Sequence, residues 1–414
     1  MKILLVNYSD TDGGAARACY RLLTALKKNG VDAKLLVLHK GSDDSDVICL
    51  ESKAAILLVK GLYFIENKII NRLFGPTIQF SLHLLTSGLV RQKINRYNPD
   101  IVHLHWTSRG VLSFFDIRKL KAPVVITPHD NNYFRAGCHV RGDCLSYKNA
   151  CTDCPSIQNN KWLLTKLYQI KKHYLSSKKI KFIALSKWMR REILSSEVYD
   201  ALNHTITDIY NPLDCNVYNP VEKGLAKKIL GLSDKKIILF GALNKNNKNK
   251  GLDLFIEAMR HLLASNPTIC NEVELVALGG GDDSIENLLN IKVHSIKKLS
   301  DDLSLKLYYS AADVMVVPSR QETLPQSATE AIACGTPVVG FDDTGVADVV
   351  QHLESGYICD KFSTKQLSDG IKYCLVNNAH NEMSKNSRSR ALSFFSEEAV
   401  ISSYLSLYES ECEI

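Results

Sequence analysis

"PSRQETLPQSATEAIACGTPVVG", residues 318–340, reads as a strand end, a polar loop, a short helix and the opening of a further strand. The run before it, "DVMVVPS" (313–319), is apolar on both alternations, as a parallel strand buried beneath helices is. Pro325 stands where a helix can begin, and Gly335 with Pro337 stops it. The N–H groups and dipole at such a helix start form an anion site where the loop leaves the sheet. Glu322 lies in the loop and Glu330 in the helix, with seven residues between them. Two carboxylates flanking that site can grip sugar hydroxyls around a phosphate held by backbone.

The same strand–helix alternation extends in both directions. Strands are expected at 2–8, 33–39, 100–106, 123–129 and 181–186, and again at 236–242, 273–279, 313–319 and 336–342. The series occurs twice, broken near "IYNPLDCNVYNP" (209–220), where Asn-Pro and a second Pro stop regular structure. The fold class expected is α/β, with two Rossmann-like domains facing each other across a cleft. The domains are placed at 1–208 and 209–390. The segment 391–414, with an amphipathic helix at "SEEAVISSYLSLYES" (396–410), is expected to return to the N-terminal domain.

These motifs resemble family 4 of the retaining, GT-B-fold glycosyltransferases. The resemblance rests on Glu322-x7-Glu330 with "EAIACGTPVV", on "FGALNKNNKNKGLDLFIEAM" (240–259), and on "DGGAARACYRLL" (12–23). It covers nearly the whole chain and is most specific over 236–350. It implies a nucleotide-sugar donor held by Gly13, Gly14, Lys250, Leu324, Pro325, Gln326 and Glu330. Lys250 would contact the diphosphate, Glu330 the ribose and Glu322 the donor sugar hydroxyls. His129, at the end of "PVVITPHD", would bond the donor sugar and help stabilise the transition state. No catalytic metal is expected, because helix N–H groups and cations serve the diphosphate. One departure matters: Gly241-Ala242-Leu243 stands where the family commonly has an Arg, so a second cation must come from elsewhere, with Lys245 and Lys248 as candidates and the phosphate clamp partly unassigned. "LGGGDD" (278–283) is expected to be a strand-to-helix turn near the nucleotide.

Four thiols follow His129: Cys138-x5-Cys144-x6-Cys151-x2-Cys154. The spacing suits a tetrahedral sulfur site for structural zinc, in a loop too poor in apolar residues to fold around its own core. Reduced or disulfide-bonded cysteines are the alternative. Similar loops occur in a bacterial surface-polysaccharide subset of the resembling family. Asp130 is read as orienting His129 or capping the next segment. His103 and His105 point to one side of their strand, as structural or acceptor-lining groups.

Composition narrows the classes further. Among 414 residues, 45% hydrophobic and 23% charged, no apolar run reaches membrane-spanning length, and the N-terminus reads as a strand and not a signal peptide. A cytoplasmic location is expected. Residues 161–191 carry ten Lys or Arg and no acid, and 55–97 carry six against Glu66 alone. Interleaved with apolar residues, they suit an anionic membrane surface or a solvated helix face; no nucleic-acid motif is present. The function expected is retaining transfer of a sugar to a saccharide or lipid-linked saccharide acceptor in O-antigen (lipopolysaccharide), capsule or exopolysaccharide synthesis. The alternatives are a nucleotide-sugar epimerase, a sugar phosphorylase, or a non-catalytic zinc-loop binding protein.

Overall fold

The computed structural model describes residues 1–75, 80–157, 159–241, 247–279, 284–297, 299, 301–376 and 380–412. Lys245, the Ala242-Leu243 departure and residues 280–283 of the expected turn lie outside the described residues. The chain divides into two compact units, Met1–Pro212 with Val400–Ile414, and Leu213–Ala399. The expected divisions stood at 208/209 and 390/391. The helix His380–Phe394 thus belongs to the second unit, and the chain returns to the first within the helix Glu397–Cys412.

The first unit holds a parallel sheet of seven strands in the order β3-β2-β1-β4-β5-β6-β7. They are β1 (Lys2–Ser9), β2 (Asp32–His39), β3 (Val47–Cys49), β4 (Ile101–Leu104), β5 (Val124–Ile126), β6 (Ile180–Ala184) and β7 (His204–Asp208). Side chains of β1 alternate between two cores: Leu4 and Val6 join one, Ile3 and Leu5 the other. That is why these strands read as continuous apolar runs. The second core is completed by Val400, Ile401, Tyr404, Leu407 and Tyr408 of the C-terminal helix.

The second unit repeats the plan with six parallel strands in the order β10-β9-β8-β11-β12-β13. They are β8 (Lys236–Gly241), β9 (Val273–Leu278), β10 (Val293–Ile296), β11 (Val314–Val317), β12 (Val338–Phe341) and β13 (Gly356–Cys359). Both orders are doubly wound, and each reverses direction beside its first strand, at β1/β4 and at β8/β11. Ligands of such sheets bind outside the carboxyl ends of the strands at that reversal.

The nine strands expected from the sequence are present. The four not expected, β3, β7, β10 and β13, lie at or next to sheet edges. Their side chains are only partly buried in β7 and β10, so their sequences lack the double-sided apolar signal.

Candidate functional site

At the β8/β11 reversal, two loops meet. After β8 the chain reaches a turn at Lys248–Lys250; after β11 it runs through 318–325. Gly251 (φ +69°) closes that turn, and a Cβ there would overlap the Pro318 carbonyl, so the loops pack backbone to backbone. The Arg320 amide donates to the Asn249 carbonyl (2.8 Å), and Asn249 Nδ2 donates to the Gln321 carbonyl (2.9 Å). Arg320 forms a two-pronged pair with Asp253, at 2.8 and 2.6 Å.

This scaffold brings Lys250 Nζ to 2.7 Å from Glu322 Oε1. The Glu322 charge holds the Lys250 ammonium above its ordinary pKa against the opposing effect of burial. Lys248 is exposed on the same turn. The far side of the Glu322 loop rests on Gly345, whose amide donates to the Glu322 carbonyl at 2.7 Å. A Cβ at Gly345 would overlap the Thr323 carbonyl. Gly345→Ala should therefore push the 322–325 loop off its seat, costing about 1–3 kcal/mol. A urea melt should show that loss, and ligand affinity should fall with it.

Leu324 is buried, and Pro325 precedes the helix Gln326–Ala333, its carbonyl accepting from the Ala328 and Thr329 amides (3.1 and 3.2 Å). The dipole and N–H groups at the start of that helix make a place suited to an anion. Glu330, on the buried face, accepts a hydrogen bond from the Tyr309 hydroxyl at 2.7 Å. The second unit thus gathers Lys250, Glu322 and the 324–326 helix start, with Glu330 one turn further along. Sequence reasoning missed Arg320, Asp253, Tyr309 and Gly345: Arg320 and Asp253 lie inside the quoted segments, but they pair across 67 residues of chain, which no local pattern records.

In the first unit, Gly13 (φ +91°) turns the chain from β1 into the helix Gly14–Lys28. Apart from their chain neighbours and their own helix backbone, no atom of the described residues lies within 4 Å of the Cβ positions of Gly13 or Gly14, so the backbone there is open to close approach. His129 follows β5, and its Nε2 lies 2.9 Å from His105 Nδ1, the two rings stacked with centroids 5.2 Å apart. His103 bonds the Tyr408 hydroxyl of the C-terminal helix (2.6 Å) and Thr127 Oγ1 (2.7 Å). His103 and His105 do share one side of β4, with ring centroids 4.3 Å apart. Burial lowers the His129 pKa to about 4, against the opposing charge of Asp130.

Asp130 caps the next segment, accepting the Asn132 amide (2.9 Å), and also binds Trp106 Nε1 (2.6 Å) and His139 Nδ1 (2.7 Å). Burial alone would raise its pKa; the charge and bond of His139, with the other two donors, more than offset that and hold it low.

Among the cysteines, Cys138 and Cys151 lie within electrostatic reach of Cys154, and Cys151 also within reach of Cys138 and Cys144. The neighbouring Cys138 thiol holds the Cys154 pKa below the usual thiol value, helped by the Ser156 and Ile157 amides and the Lys161 charge, while burial opposes them. A sulfur receiving backbone N–H groups has the donor chemistry of a zinc thiolate. Among the described residues, however, no three His, Cys, Asp or Glu side chains converge closely enough to hold a metal ion. The thiols fit zinc in kind and neighbourhood and not yet in convergence.

The family model for Glycosyltransferase Family 4 matches residues 12–217, and that for Glycosyl transferases group 1 matches residues 223–390. The chain belongs to this glycosyltransferase family. The two matches divide between residues 217 and 223, a few residues beyond the boundary of the two compact units, and the second contains Lys250, Glu322, Glu330 and the other second-unit site residues. This family member is 24% identical over 249 residues to N-acetyl-alpha-D-glucosaminyl L-malate synthase of Bacillus anthracis, covering 54% of the chain and 62% of that relative. It is 28% identical over 172 residues to an uncharacterized glycosyltransferase of Haemophilus influenzae, covering 40% of the chain and 46% of the relative. The chain thus spans about half the length of the curated relatives it matches.

Among solved structures, sucrose-phosphate synthase of Thermosynechococcus elongatus superposes with TM-score 0.69 at 19% identity, over 99% of this chain and 98% of that one. HepE of Anabaena, solved in complex with UDP and glucose, gives 0.67 at 16% identity, over 99% and 100%. These likenesses show the fold: two Rossmann-like domains of the GT-B class.

Proposed function

We propose that the chain transfers a sugar from a nucleotide-sugar donor to an acceptor hydroxyl, with retention at the anomeric carbon. The observation that carries this reading is the Lys250–Glu322 pair, held at the sheet reversal ahead of the Gln326–Ala333 helix start. A cation, a carboxylate and an anion-attracting helix end occupy one small region, which is what a sugar joined to a diphosphate requires. Lys250 and the 324–326 backbone would stabilise the charge developing on the leaving diphosphate. Glu322 would then turn to the donor sugar hydroxyls, and Glu330, steadied by Tyr309, to the ribose. Gly13 and Gly14 would let the donor approach the backbone of the first unit, and His129 would bond the donor sugar. The acceptor proton would pass to the leaving phosphate oxygen as the new glycosidic bond forms, with no divalent metal at the diphosphate. HepE, solved with UDP-glucose, offers a parallel for the donor class.

A thermal-shift screen against UDP-, GDP-, ADP- and dTDP-sugars tests the donor site, with Glu330→Gln and Glu330→Ala alongside. One nucleotide class should stabilise the wild type and lose its effect in Glu330→Ala. Stabilisation by none of them would remove the transferase reading and leave the fold.

For the acceptor we infer a lipid-linked saccharide of a bacterial surface polysaccharide, met at the inner face of the membrane by a cytoplasmic, peripheral protein. The basic, apolar-interleaved segments 55–97 and 161–191 support this setting, and WaaG, a likeness in fold, acts in lipopolysaccharide biosynthesis. We also propose that Cys138, Cys144, Cys151 and Cys154 hold a structural zinc. Metal analysis should find one zinc per chain, and chelation should lower the melting temperature; metal-free protein with an unchanged melt would discard the zinc.

A further inference from the structure

The helix Lys53–Phe74 has two unlike faces. Val59, Ile70 and Phe74 are buried in a core of the first unit. On the opposite face Leu57, Leu58, Phe64, Ile65 and Ile69 stand in solvent, Leu57 and Phe64 exposed by 68% and 58%. Leu57 and Phe64, like Leu58 and Ile65, are seven residues or two helical turns apart, and Ile69 follows Ile65 by one turn, so the five share one side of the helix. Stripes of this size are rare on a surface that meets only water.

Charge on this helix is sorted just as sharply. Lys53, Lys60, Lys68 and Arg72 are exposed alongside the stripe, and Lys68 Nζ lies 4.6 Å from the Phe64 ring centroid. The helix has one acid, Glu66, and it faces inward. Its carboxylate accepts the backbone N–H groups of Leu82, His83, Leu84 and Leu85 at 2.8–3.1 Å. The outward face is left with apolar side chains, cations and Asn71, and with no acid. A second basic segment adjoins it: Asn160 Nδ2 donates to the Leu73 carbonyl (2.7 Å), tying the start of the helix Lys161–Ser176 to the end of this one. There Trp162 is 61% exposed, with Lys166 Nζ 5.1 Å from its ring.

We propose that this face docks on an anionic lipid surface, the Lys53–Phe74 helix lying in the headgroup plane. Leu57, Leu58, Phe64 and Ile65 enter the acyl boundary, while Lys60, Lys68 and Arg72 extend their apolar stems and place their charges on lipid phosphates. The commitment to lipid rests on charge complementarity: cations run in line with the apolar stripe, and the acid is withdrawn into the fold. Among the described residues no helix is long and apolar enough to cross a membrane, so the helix lies on the surface. This deepens the membrane setting proposed above, rests on it, and names the docking face.

The test uses the full chain and vesicles of phosphatidylcholine, with or without phosphatidylglycerol, in co-sedimentation without donor. Binding should require phosphatidylglycerol and weaken with salt. Lys60→Glu with Lys68→Glu should lower binding by about tenfold or more, since each cation near the surface contributes about a fivefold factor. Phe64→Ser with Ile65→Ser should lower it at least as much, and, being exposed, should leave the melting temperature in place. No binding, or binding indifferent to either double variant, overturns the proposal. So does a wild-type dimer that Phe64→Ser with Ile65→Ser dissolves, which would make the face a self-association surface. The donor plays no part in this assay, so failure of the donor site and failure of the lipid surface give separate results.

Discussion

Lys250→Ala should lower kcat/KM by about a hundredfold to a thousandfold, chiefly through kcat, with donor binding weakened less. A preorganised cation at developing charge contributes on the order of 3–4 kcal/mol to the transition state, and less to the ground state. Glu322→Gln should behave differently. In the free protein Glu322 is paired with Lys250 at 2.7 Å, so under the proposed roles its loss would free the lysine for phosphate while removing a sugar contact. A weaker effect on nucleotide affinity than on turnover is expected. The double variant should lose less than the sum of the two, because the residues are in contact. Steady-state kinetics on the two single variants and the double one would measure this coupling. Strict additivity would mean that the pair does not act as a unit.

Mild acid should destabilise the first unit strongly. Burial holds the pKa of His129 at about 4 and those of His83 and His103 at about 3, against 6.5 in an unfolded chain, and lowers His105 in the same way. Above pH 6.5 both folded and unfolded states leave these rings neutral, and none of them affects stability. As pH falls below 6.5 the unfolded chain takes up protons that the folded chain refuses, so stability falls with pH. The loss continues until the folded pKa values are reached. At pH 5 each of His83, His103 and His129 costs about 2 kcal/mol, and His105 adds in the same direction. Several together approach the whole stability of an ordinary domain, about 5–15 kcal/mol. The His105–His129 contact adds to this, since a hydrogen bond between two ring nitrogens needs at least one of them unprotonated. Melts from pH 7.5 to 4.5 should show the fall, and His103→Gln should flatten it. A melting temperature constant over that range would contradict the buried neutral cluster.

Much of the second-unit site was legible in the chain because its parts lie close in sequence. Glu322, Pro325, Glu330 and Gly335 mark a loop and helix by local rules of turn and cap, and the observed helix Gln326–Ala333 begins and ends within a residue or two of those marks. Lys250 could be associated with them only through resemblance, since seventy-two residues separate it from Glu322. Gly345 could not be assigned at all: its φ is ordinary, and only the Thr323 carbonyl above it forbids a side chain. Asp130 was left between two roles by its sequence, and its bonds to the Asn132 amide, Trp106 and His139 show what it holds.

By itself the sequence determined the α/β class, the two successive strand–helix series and the nine interior strands. Apolar runs on both alternations and helix start and stop residues are local signals, and they survive without knowledge of neighbours. Tertiary structure alone decided strand order, the edge strands, and the return of the chain from Val400 onward to the first unit, where Tyr408 reaches His103 across 305 residues of chain. It alone decided that Lys250 pairs with Glu322 and that Glu66 faces inward. These depend on contacts between residues far apart in the chain, whose free energy belongs to the pair and leaves no mark on either residue's local pattern.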